Sequence, residues 1–142
     1  MPKYATGLLL AAPLLLLPAL MRADDADPEP RARAVKPREI VVAGLPTGEG
    51  NVHTPISIPS EKHLAEVLAD RDVRAAILKQ VDFRKEKLLL FRWFGGRDSL
   101  TPVEGGPGLA AFEYVRGKSK DLAAHAKLFA IPARAKVVVK GV

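Results

Sequence analysis

"LLLFRWFGGRDSLTP", residues 88–102, decides how this chain is read. Successive side chains of an extended strand point to opposite faces, so Leu89, Phe91 and Trp93 share one face, and Leu88, Leu90, Arg92 and Phe94 share the other. Both faces are largely apolar, which a strand needs only when it is covered on both sides. "EKLLLFRWF" (86–94) is therefore a central strand. The chain then breaks into "GGRDSLTPVEGGPG" (95–108), longer than most hairpin connections and rich in glycine.

Further strands are expected at "REIVVAG" (38–44), "TPISIPS" (54–60), "GLAAFEYVR" (108–116) and "AKVVVKG" (135–141), all of strand composition. The first two read as edge elements, because proline donates no ladder hydrogen bond. Ser60 then precedes a stretch in which Leu64, Val67, Leu68, Val73 and Ile77 recur at helical spacing, with Glu61 in the first turn. Asp70-Arg71-Asp72 interrupts the apolar stripe, so two short helices, 61–69 and 71–79, are expected instead of one. The fold class that follows is α+β: a twisted antiparallel sheet with the two helices packed on one face. "SKDLAAHAKLFAIP" (119–132) is contested, since alanine favours helix whereas "KLFAIP" before a proline favours an extended end.

The order "ISIPS", short helices, "QVDFRKEKLLLFRW", a glycine loop and "DLAAHAKLFAIP" resembles the PrcB C-terminal-domain family and related small exported bacterial proteins. The resemblance spans residues 56 to 139 and implies that Asp121 to Pro132 runs as a strand ending at the proline. It also implies an accessory or binding role, because the family takes its name from a non-catalytic partner of a protease complex. This chain departs from the family in replacing a glycine-rich step and a pair of strands by the shorter 95–108 segment.

At the start of the chain, Lys3 and the uncharged apolar run Leu8–Leu20 form a secretory signal pattern, with Ala23 as the small residue at a cleavage site. The run is too short for a transmembrane helix, which takes roughly 20 residues, so no stable membrane span is expected after cleavage. Residues 24–37 lack apolar periodicity and read as a disordered tether. The expected organisation is 1–23 signal peptide, 24–37 tether and 38–142 a small α+β domain, exported to a bacterial periplasm or beyond. With no cysteine, the chain has no disulfide framework. Its net charge of +6 suits solubility or adhesion to an anionic envelope polymer. A stacking groove for nucleic acid is not expected, because Phe112 and Tyr114 are wanted for the core.

The candidate binding residues are Arg97, Asp98, Ser99 and Glu104 in the long loop. If 86–94 and 108–116 are antiparallel neighbours, Arg92 and Glu113 stand opposite each other as a structural pair. Ser119, Asp121 and His125 have the residue types of a hydrolytic triad without a nucleophile elbow. "GKS" (117–119) lacks the earlier glycine of a phosphate loop. No EF-hand order of ligands and no paired histidine motif is present, so neither a metal nor another cofactor is expected. The reading that follows is an exported, non-enzymatic binding or accessory module whose partner is an envelope protein or anionic polymer. The alternative is a small envelope hydrolase using 95–108 with Asp121 and His125. Oligomeric state is not readable from the sequence.

Overall fold

β3 (Glu86–Gly95) and β6 (Ala123–Pro132) form the spine of the molecule, paired antiparallel along their full lengths. The computed structural model describes residues 33–141. The expected signal peptide and residues 24–32 of the expected tether lie outside them. β1 (Arg38–Glu39) pairs with β6 and β2 (Ile56–Ile58) with β3, giving a four-stranded antiparallel sheet of order β1-β6-β3-β2. A second sheet, of order β4-β5-β7, is built from β4 (Ser99–Val103), β5 (Leu109–Val115) and β7 (Lys136–Lys140). β4 runs antiparallel to β5, and β7 runs parallel to it.

The alternation along β3 is realised. Leu88 and Leu90 pack under α1 (Glu61–Val67) and α2 (Arg71–Leu78) with Ile40, Ile58, Leu64, Ile77 and Leu128. Leu89, Phe91 and Trp93 face the second sheet, where Phe112, Phe129, Leu100 and Val52 close around them. The helices thus cover one face of the large sheet, and the small sheet covers the other. Each helix starts on a side-chain cap: Ser60 accepts from the His63 amide, and Asp70 from those of Asp72 and Val73. Arg74 of α2 donates to the Leu68 and Ala69 carbonyls, which satisfies the end of α1 and fixes the bend between the helices.

Three expectations are corrected, and one contested segment is decided. Residues 33–37 belong to the folded body, because Ala34 bridges Pro107 and Val35 is buried between the sheets with its carbonyl accepting from Gly105. The long loop contains β4, whose Leu100 enters the inter-sheet core. Residues 123–132 form a strand, against alanine propensity, because pairing with all ten residues of β3 outweighs a local preference of tenths of a kcal/mol per residue. Arg92 and Glu113 do not meet, because β3 and β5 lie in different sheets. Arg92 stands opposite Ala126, while Glu113 is exposed between Thr101 and Lys140.

Candidate functional site

At one end of the inter-sheet core the strands give way to an open cleft of about 750 Å³. Four segments wall it: the 50–53 turn, the end of β3 with the 95–98 turn, the end of β5 with 116–119, and Leu122 before β6. The two glycine turns interlock. A Cβ on Gly96 would come within 2.2 Å of the Ser119 carbonyl oxygen, and one on Gly117 within 2.5 Å of the Arg97 backbone. Glycine is required at both positions because backbone passes against backbone.

Asp98 ties these turns to the sheet. Its carboxylate accepts from the Tyr114 hydroxyl at 2.5 Å and from the Gly117 amide at 2.8 Å. The Tyr114 bond, with help from the Gly117 amide and nearby Arg116, holds the Asp98 carboxyl below its usual range. Tyr114 is shifted the opposite way, first by burial of its ring and then by the adjacent carboxylate. Asp98 therefore stays ionised and bonded near neutral pH.

Behind this pair the aromatic rings of the core run out to the cleft. Trp93 is 4% exposed, stacks on His125 at 5.0 Å between centroids and meets the edge of Tyr114, which in turn touches His53. The indole Nε1 of Trp93 is buried without a hydrogen-bond partner. Leaving such a donor unpaired costs about 1–3 kcal/mol, and Trp93 is one of the residues that line the cleft. At the rim, Phe94 and Leu122 are large apolar side chains 59% and 62% exposed, and Arg116 and Lys118 add two exposed cations. The rim thus sets two cations beside an apolar wall, while the Asp98 carboxylate inside is held by Tyr114 and Gly117.

Of the residues singled out in the sequence, Asp98 lies in this cleft. Arg97 adjoins it, exposed; Ser99 begins β4 with its side chain in solvent; Glu104 lies past the far end of β4. Trp93, Tyr114, His53 and Arg116 were missed as site residues, since they are far apart in sequence. The legible signal was the one tryptophan of the chain next to a double glycine. The residues of the hydrolytic alternative do not assemble into a relay: His125 Nε2 faces the Gly95 carbonyl at 3.2 Å, and the Ser119 hydroxyl accepts from the Asp121 amide at 3.1 Å. Arg92 lies outside the cleft, along the 48–51 turn in a smaller cavity with Asn51 and Thr54, its Nε buried and unpaired.

Among the described residues no group of three or more His, Asp or Glu side chains could hold a metal ion, and no helix is long and apolar enough to cross a membrane. No protein-family model, curated protein or solved structure matches the chain significantly.

Proposed function

We propose that the chain is a binding module, acting without catalysis, that holds an anionic ligand bearing an apolar group in the cleft at the end of the inter-sheet core. One observation carries this: Trp93, whose buried indole N–H is unpaired, lines a cleft whose rim combines Arg116 and Lys118 with exposed Phe94 and Leu122. A phosphate or carboxylate would be met by the two cations, with the indole donor reached by a small movement of the ring or its cover, and an alkyl or aromatic group would cover the apolar rim. The interlocked glycine turns and the Asp98–Tyr114 bond hold the cleft in shape without a ligand, which lowers the ordering cost of binding. Export belongs to the same reading: the Leu8–Leu20 run supports delivery to a bacterial envelope, where phosphate-bearing polymers and lipids supply such ligands. Kinship with the PrcB C-terminal-domain family, with its accessory role, is part of the proposal.

Titration calorimetry with hexyl phosphate tests it. The wild type should bind, R116E/K118E should lose about tenfold or more in affinity, and Phe94→Ser should weaken binding without abolishing it. Absence of wild-type binding, or affinity unchanged by the charge reversal, would overturn the reading.

A further inference from the structure

The two edges of the small sheet are built differently. In the β4–β5 ladder, Leu100 and Pro102 are the residues whose backbone groups point away from β5. Proline has no N–H to offer, and the Leu100 carbonyl already accepts from Lys127 Nζ at 3.2 Å. That edge is blunted. On the other side, the Lys136 amide donates to the Gly108 carbonyl, which sets the parity of the parallel β5–β7 ladder. Lys136, Val138 and Lys140 turn their backbone groups inward to β5, and Val137 and Val139 turn theirs outward. Among the described residues, no backbone hydrogen bond engages these outward groups.

The side chains say what fits there. Val137 and Val139 point into the inter-sheet core, so Val138 lies on the outer face with Lys136 and Lys140 two positions to either side. Val103, Ala111 and Val138 are register partners across the three strands, and none is fully exposed, so an apolar row crosses the outer face and ends at the open edge. The two lysines are exposed, and neither is in an ion pair among the described residues. Glu113 is the register partner of Lys140 and shares its face.

We propose that the β7 edge receives an extended segment of a partner protein in which an apolar residue is flanked two positions away on both sides by acidic ones. Backbone pairing to Val137 and Val139 supplies affinity, and the apolar residue extends the Val103–Ala111–Val138 row. The acidic residues face Lys136 and Lys140 and set specificity. A second copy of this chain fits poorly, because antiparallel pairing of Lys136–Lys140 with itself centred on Val138 places lysine opposite lysine.

Fluorescence anisotropy with the full chain and a labelled peptide centred on glutamate-threonine-valine-threonine-glutamate tests this. The wild type should bind it, and K136E/K140E should bind it at least about tenfold more weakly while gaining affinity for the matching lysine peptide. Val137→Pro, which removes one outward N–H, should lose the acidic peptide. Because the exposed lysine changes leave the core intact, the outcome does not depend on how the proline variant folds. Wild-type chain that ignores the acidic peptide, or charge-reversed chain that binds it equally well, would overturn the proposal. So would self-association that Val137→Pro disperses, since that would assign the edge to a second copy. Binding of hexyl phosphate in the cleft should be unchanged in K136E/K140E, which keeps the two readings separable.

Discussion

The helix-covered core and the inter-sheet core share two strands, β3 and β6, and differ in chemistry. Beneath the helices the packing is aliphatic, from Ile40, Ile58, Leu64, Ile77, Leu88, Leu90 and Leu128, with Arg92 at the margin of the same face. Between the sheets it is aromatic, with Phe91, Phe112 and Phe129 in mutual contact and Trp93 and Tyr114 carrying the array outward. An aliphatic core can close completely. An aromatic core that includes tryptophan and tyrosine must find partners for an N–H and an O–H. Here the O–H is satisfied by Asp98, whereas the N–H is buried without a partner. The face of β3 that carries Phe91 and Trp93 therefore leads out to the cleft.

The largest test of this division uses neighbouring residues on opposite faces. Leu90→Ala and Phe91→Ala, both at fully buried positions, should cost about 2–5 and about 3–5 kcal/mol. Because β3 belongs to both cores, urea unfolding of each variant should remain one transition. Two resolved transitions would separate the cores into independent units.

A smaller effect is expected at the cleft. Tyr114→Phe removes a hydrogen bond to a charged carboxylate and should cost about 1.5 kcal/mol at pH 7. The folded protein holds the Asp98 carboxyl below its unfolded value, so this stabilisation is fully present above pH ~4. It is lost as the pH falls through the folded value. The gap between wild type and variant should thus narrow in acid, and urea midpoints at pH 7 and pH 3 check it. A gap that is constant with pH would mean that Asp98 is not the acceptor that matters.

On the helix side, Asp70→Ala should cost about 1 kcal/mol through the lost cap, while hexyl phosphate affinity stays as in the wild type. A change in affinity would show that the helix layer and the cleft are coupled.

Where pattern and packing agree, the sequence was readable. Alternation in 86–94 identified the central strand and both of its faces, and Ser60 with the Asp70-Arg71-Asp72 break located both helices. β4 was hidden because Ser99, Thr101 and Pro102 read as loop; an edge strand tolerates a proline whose missing N–H points away from its neighbour. That hidden strand also misplaced Glu113: with β4 and β7 flanking β5, β3 has no place beside it. In β6 the alanines suited either state, the resemblance pointed to a strand, and the physical cause is the long-range pairing with β3. The cleft was least legible, since Asp98 looks like a solvated loop charge until the topology brings Tyr114 and Gly117 to it across 16 and 19 residues.

The central claim is that the unpaired indole N–H of Trp93 marks a ligand site. The chain has one tryptophan, so an amide-proton NMR spectrum contains one indole signal, and its assignment needs no variant. Titration of the wild type with hexyl phosphate should move that signal progressively, together with the amides of Gly96 and Gly117. An indole signal that stays fixed while the ligand saturates resonances elsewhere, or a spectrum that does not respond at all, would contradict the account.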